Sequence, residues 1–357
     1  GDPAWIRGPR RPRMASPAAR HGGLPDDELA AVRADALPVI MAYRGGGYQV
    51  AELSTELVEE MMDFLAATPV SRRVRDLFHF DLQFDGVDPG AITWGDDIDE
   101  AVKAASPVVV IGAGMAGIQA GIRLGQAGLP FTIIEKNAGP GGTWWENRYP
   151  GARVDVPSRQ YCYAFEPSDH WSEFYCQHGE LRAYFSRVFD EYELAPHCRF
   201  ETEVTGAEWD EAAGRWRIAT RTGSGETDVL DARFVISAVG SLNIPKMPDI
   251  EGIDAFAGPS FHSTRWPEGF DHRGTRFALL GAGASGFQIA PAIADEVEHL
   301  DIFQRTAQWI MPNPIYHQKV PPGETWAMRH LPYFGRWVRY MSTYPGVGRG
   351  IDDYRID

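Results

Sequence analysis

The chain has 357 residues, 44% of them hydrophobic and 23% charged, with a formal net charge of −15 at pH 7. At roughly 100–200 residues per domain the length predicts two domains or slightly more, and 49 Asp and Glu against 34 Lys and Arg exclude a broad basic face that grips nucleic-acid phosphates. Cys162, Cys176 and Cys198 are an odd number with no C-x-x-C or C-x-x-x-x-C spacing, which supports neither a disulfide framework nor a redox dithiol nor a zinc cluster.

No metal is expected. No apolar run reaches the about 18 residues of a membrane span, and the N-terminus lacks the apolar core of a signal peptide, so neither a membrane partner nor export is expected, and the location predicted is cytoplasmic. Residues 1–13, with several Arg and Pro and no periodicity, read as a disordered tail. Residues 14–105 read as a helical extension. Asp26–Tyr43 and Glu52–Ala66 place Leu, Val, Ile and Met at helical intervals on either side of the breaker Gly45-Gly46-Gly47. Ile92–Lys103 is acidic and loosely patterned, and the boundary falls near Ser106.

Beyond it strands, glycine turns and helices alternate, the pattern of a parallel sheet covered by helices. Val108–Ile111 reads as a buried strand, Met115–Ala127 as a helix and Phe131–Glu135 as a second strand. Glu203–Asp231, broken by Gly214 and Gly223-Ser224-Gly225, reads as an antiparallel insertion. Phe234–Val239 is a further strand, and Phe277–Leu280 opens a second strand–turn–helix unit whose helix starts near Phe287.

Gly112-Ala-Gly114-Met-Ala-Gly117 stands between the first strand and its helix. Glycines there permit a tight turn and the close approach of a pyrophosphate to the helix N-terminus, where free N–H groups and the dipole favour negative charge. Glu135, 23 positions after Gly112, can accept ribose hydroxyls and would repel a 2′-phosphate, which favours FAD or NAD over NADP. The alternative is a turn that merely joins strand to helix. Gly281-Ala-Gly283-Ala-Ser-Gly286 repeats the pattern, and the strand predicted over Asp301–Arg305 ends on a base. Arg305, with Thr306 beside it, can pair with a 2′-phosphate and marks an NADPH site; the alternative is a surface Arg. The fold class is therefore α/β, two Rossmann-like dinucleotide-binding domains behind an N-terminal helical extension. The FAD domain spans 106–245, a linker 246–274 and the NADPH domain 275–357. Two dinucleotides imply a flavoprotein that takes hydride from NADPH. Without paired cysteines, oxygen is the expected acceptor.

Two longer patterns carry a family resemblance. Phe256-Ala-Gly258-Pro-Ser-Phe-His262-Ser-Thr-Arg265-Trp266-Pro267 matches F-x-G-x-x-x-H-x-x-x-W-P at every fixed position. Gly141, Gly142, Trp144, Tyr149, Pro150, Gly151 and Asp155 complete [A/G]-G-x-W-x-x-x-x-[F/Y]-P-[G/M]-x-x-x-D. From Val108 to about Pro312 the sequence resembles the Baeyer–Villiger monooxygenases. The resemblance implies that NADPH reduces FAD, that oxygen then forms a flavin peroxide, and that a ketone becomes an ester or lactone in a site that excludes water.

It further implies that Asp155 lies near flavin and nicotinamide, orienting a catalytic Arg to which no residue of this sequence is assigned. His262 is either a packed hinge histidine or a participant in proton transfer. Gly142, Thr143, Trp144, Arg148 and Tyr149 are expected around the flavin, Trp145 as surface cover, and Arg265 and Trp266 as stabilisers of the linker. His178 falls in a stretch that reaches the active site in similar enzymes. The helical extension is similar to that of 4-hydroxyacetophenone monooxygenase-type enzymes, which implies a homodimer acting on O2 and an aryl or aliphatic small-molecule ketone. The family's chains continue further, so Trp326–Tyr340 reads as the start of an insertion, Arg349–Asp357 as a closing stretch, and the chain as an N-terminal portion. The alternatives are a catalytically silent flavin-binding or dimerising module and a related N- or S-hydroxylating flavin monooxygenase.

Overall fold

A computed structural model describes residues 3–13, 21–48, 52–95, 98–242 and 244–348. They fall into two compact units, one from the described parts of Gly1–Pro89, Val154–Cys176 and Met311–Asp357, the other from those of Gly90–Arg153 and Gln177–Ile310. The N-terminal part of the first unit is helical: α1 (Ala4–Arg7), α2 (Asp26–Gly45), α3 (Thr55–Ala66) and α4 (Arg72–Leu82). The predicted tail thus carries a helical turn, and its Arg7 pairs with Glu60 of α3 at 2.9 Å; Met14–Arg20 lie outside the described residues. The side chains of Ser54 and Ser71 cap α3 and α4 by accepting from the N–H groups of Leu57 and Val74. Val58, Met62 and Ala66 on α3 and Val74, Phe78 and Leu82 on α4 recur at four-residue spacing, so each helix buries one stripe. By contrast α2 buries no residue along its length.

In the second unit α5 (Glu100–Ala104), capped by Asp99, leads to β1 (Val108–Ile111), α6 (Met115–Gln126) and β2 (Phe131–Ile134). Then come the short α7 (Thr143–Glu146), α8 (His178–Glu191), β3 (Cys198–Arg199), β4 (Thr202–Asp210), β5 (Arg215–Thr222), β6 (Thr227–Ala232) and β7 (Phe234–Ser237). β1 pairs in parallel with β2 and β7, and β2 with β3, in the order β3-β2-β1-β7. The insertion expected between the glycine breaks is the antiparallel sheet β4-β5-β6. β8 (Arg276–Leu280), α9 (Ala284–Ile293) and β9 (His299–Phe303) form the second strand–turn–helix unit, with β8 parallel to β9. Two bounds differ from expectation: α9 starts at Ala284 because Gly283 takes the N-cap, and β9 stops at Phe303, so Arg305 lies past the strand.

The chain then returns to the first unit with α10 (Pro322–His330) and α11 (Phe334–Thr343). Tyr340 and Tyr344 are buried with Val58, Met62, Val74, Phe78 and Leu82 in one core, and Phe78 meets the Tyr340 ring edge-on at 4.6 Å. Arg339 grips Asp81 with two bonds of 2.8 and 2.9 Å. This corrects the expected segmentation. The helical extension is closed by residues expected in the NADPH domain, because the apolar stripes of α3 and α4 need the tyrosines to cover them. Arg349–Asp357 lie outside the described residues. Among the described residues no helix is long and apolar enough to cross a membrane.

Candidate functional site

The two glycine turns have nearly the same backbone. Gly112 and Gly281 sit at φ +105° and +100°, and the helix caps Gly114 and Gly283 at φ −76°, ψ −171° and φ −73°, ψ −170°. A Cβ on Gly117 would lie 1.8 Å from the Gly112 carbonyl oxygen, and one on Gly286 2.2 Å from that of Gly281. The third glycine of each turn is therefore compulsory: it lets the helix close onto the strand and aim its N-terminus outward. Neither helix has a side-chain cap, which leaves each start open to a phosphate. Both cradles fit a dinucleotide.

Glu135 is buried. Its Oε2 accepts from Ala113 N–H at 2.7 Å, and its Oε1 from the backbone and side-chain N–H of Asn137 at 2.8 and 2.7 Å. With about four lone-pair positions on a carboxylate, the residue braces the first turn and keeps capacity for a ribose hydroxyl. Gly141 and Gly142, at φ +128° and +52°, fold back on this turn: Gly141 N–H donates to the Ala113 carbonyl at 2.9 Å. Trp144 is buried next to them and Thr143 is exposed.

Further along, the motif is anchored to α9. Tyr149 is not a free ring beside the glycine loop; it packs with Ala152, Ile289 and Ile293, and its hydroxyl donates to Gln288 Oε1 at 3.0 Å. That amide also accepts from Arg153 N–H at 3.2 Å and donates to the Arg153 carbonyl at 3.0 Å. Gly151 approaches so closely that a Cβ would stand 2.5 Å from the Gln288 carbonyl oxygen. One buried glutamine on α9 thus ties the second glycine turn's helix to the loop of the first motif. Sequence reasoning missed it, although its place two residues after Gly286, on the inward stripe of α9, was the available signal.

The linker motif is held by aromatic packing and one ion pair. Trp266 stacks on Phe277 at 5.9 Å and meets Phe261 edge-on at 5.2 Å. Arg265 reaches Glu146 at 3.4 Å, and Glu146 also pairs with Lys136 at 3.0 Å. Burial opposes the charge on Glu146, but Lys136 and Asn137 outweigh it and hold the carboxyl below its ordinary range. His262 caps the turn that follows, its Nδ1 accepting from Thr264 N–H at 3.2 Å, which leaves the proton of the neutral ring on Nε2. Arg305 and Thr306 are exposed, and among the described residues Arg305 has no ion-pair partner. Arg148 donates from Nε to the Trp145 carbonyl at 2.8 Å. Asp155 belongs to the first unit, where its Oδ1 accepts from the Tyr316 hydroxyl at 2.9 Å. Among the described residues no group of three or more His, Cys, Asp and Glu could hold a metal ion.

Residues 109–331 match the model of the family described as pyridine nucleotide-disulphide oxidoreductase. A Baeyer-Villiger monooxygenase of Streptomyces coelicolor is 43% identical over 214 residues, 60% of this chain and 40% of that protein. An uncharacterized monooxygenase of Sinorhizobium fredii is 33% identical over 319 residues, 89% of this chain and 47% of that protein. The crystal structure of OTEMO complexed with FAD and NADP shares 40% sequence identity at a TM-score of 0.55, over 58% of this chain and 41% of that one. The chain spans less than half the length of the curated relatives it matches.

Proposed function

Because the chain belongs to the pyridine nucleotide-disulphide oxidoreductase family and, within it, to the Baeyer–Villiger monooxygenases, we propose that the whole protein uses FAD, NADPH and O2 to convert a ketone into an ester or lactone. The observation that carries this reading is the pair of glycine turns with matching dihedral angles, the second tied through Gln288 to the loop that leads to Asp155. Bound flavin supplies two-electron chemistry between nicotinamide and oxygen.

The residues divide the binding work. The α6 N-terminus with Gly112, Gly114 and Gly117 holds the FAD pyrophosphate, and Glu135 takes a ribose hydroxyl while bracing the turn. Gly142, Thr143, Trp144 and Arg148 border the flavin, and Tyr149 fixes that border through Gln288 rather than facing the ring. On the second turn, Gly281, Gly283 and Gly286 open α9 to the NADPH pyrophosphate. The fork of Arg305, without an ion-pair partner among the described residues, takes the 2′-phosphate with Thr306. Asp155 presents a carboxylate that can hold a guanidinium in place, and His262, occupied as a cap, acts as a hinge residue. The apolar side chains that α2 leaves exposed, among them Leu37, Val39 and Met41, suit a homodimer through the N-terminal helices. The absence of a disulfide among the described residues suits the cytoplasm.

Anaerobic titration of FAD-loaded protein with NADPH, followed by oxygen and a cyclic ketone, tests the reading. Bleaching of the flavin band, its return with oxygen and the appearance of lactone are expected. Failure to retain FAD, or reduction and reoxidation that leave the ketone unchanged, overturns it.

A further inference from the structure

We propose that Arg148 and Arg182, gathered at the indole of Trp145, form with the neighbouring His178 a binding site for a phosphate group. All four residues lie in the second unit. The Arg182 guanidinium carbon stands 4.2 Å from the indole centroid and that of Arg148 5.1 Å, so one ring orients two forks. Neither guanidinium has an ion-pair partner among the described residues, and Arg182 makes no hydrogen bond there. Glu268 acts on Arg182 only from beyond ion-pair distance. His178 opens the 14-residue α8, with its Nδ1 buried and unpartnered.

This arrangement is costly without a ligand. Two like charges lie half-buried at one indole in a chain whose carboxylates outnumber its cations 49 to 34, yet among the described residues no carboxylate closes the pair. Burial and then the neighbouring Arg148 push both Arg182 and His178 toward their uncharged forms. A phosphate between the forks would reverse that repulsion. Guanidinium planes offer it bidentate bonds, and the indole excludes water from one side. The buried Nδ1 of a neutral imidazole can then donate in one tautomer. The site rests on these contacts and shares Arg148 with the proposed flavin border, whereas Arg182 and His178 take no part in the proposed oxidation.

Calorimetric titration with inorganic phosphate at constant ionic strength, using the whole chain, tests the site. Saturable binding is expected, weakened about tenfold or more in Arg148→Gln and in Arg182→Gln, with Arg182→Lys intermediate because it keeps the charge and loses the fork. Circular dichroism checks that each variant is folded. Repeating the titration with saturating FAD, then with saturating NADP+, identifies the source: competition assigns the site to a cofactor phosphate, and undiminished binding assigns it to free phosphate or a phosphorylated ligand. Absence of saturable binding, or binding that Arg182→Gln leaves unchanged in a folded protein, overturns the proposal.

Discussion

In the proposed reading the choice of nicotinamide nucleotide rests on Arg305. Its guanidinium lies past the end of β9, exposed and without an ion-pair partner among the described residues, so nothing in the fold has to be broken for it to meet a 2′-phosphate. Arg305→Ala should weaken NADPH binding about 10- to 100-fold, the loss of a charged hydrogen bond of about 1.5–3 kcal/mol, and leave NADH unchanged in a fluorescence titration. Cys198 behaves in the opposite sense, as a group the fold keeps inert. Burial, and secondarily the carboxylate of Glu135, push its thiol up to about 12. At pH 8 its alkylation should run roughly fifty-fold slower than that of a free cysteine, the greater nucleophilicity of a basic thiolate offsetting part of the lost ionisation. Measured in Glu135→Gln, the rate should rise. Sequence alone singles out the glycines, Glu135 and Arg305 because a phosphate cradle admits few residue types. It does not single out Gln288 and Arg182, since glutamine and arginine on a helix ordinarily face water and only the fold shows what they touch.

The glycine turns work as elements, because a helix and a strand must meet there. Gly117→Ala should expel FAD and shift the unfolding midpoint downward, since its methyl would sit 1.8 Å from a carbonyl oxygen that the turn cannot move. Gly125→Ala on the same helix is the control. Its Cβ would meet only the Phe131 ring at 3.9 Å, and replacing a helical glycine should gain about 0.5–1 kcal/mol in urea denaturation. In the first unit Phe78→Ala should cost about 3–5 kcal/mol, as a fully buried ring packed against Tyr340 is removed. Strands rich in β-branched residues, β1, β2 and β7, and the apolar β8 between Gly274 and the Gly281 turn could be read before the structure. α4 and α8 could not. Their buried stripes, Val74, Phe78 and Leu82 in one and Leu181, Tyr184, Phe185, Val188 and Phe189 in the other, are interleaved with charges and aromatic residues that mask the period.

For the whole molecule the division into units follows contacts that no local pattern reveals. Residues 58–82 share a core with Tyr340 and Tyr344, across most of the chain, and a short window of sequence has no means of pairing them. Removing residues 331–357 should therefore strip the cover from α3 and α4. Hydrogen exchange should then show their amides losing protection while those of β1, β2 and α6, in the other unit, keep theirs. Equal loss in both sets would mean that the core is not the local one described.

The same separation sets a schedule for the nascent chain. At about 5–20 residues per second, roughly 13–50 s pass between the emergence of Leu82 and that of Tyr340. Through that interval the apolar stripes of α3 and α4 have been synthesised and their cover has not. The N-terminal helices would face the ribosome surface and the chaperones around it before they meet their own closing aromatic residues.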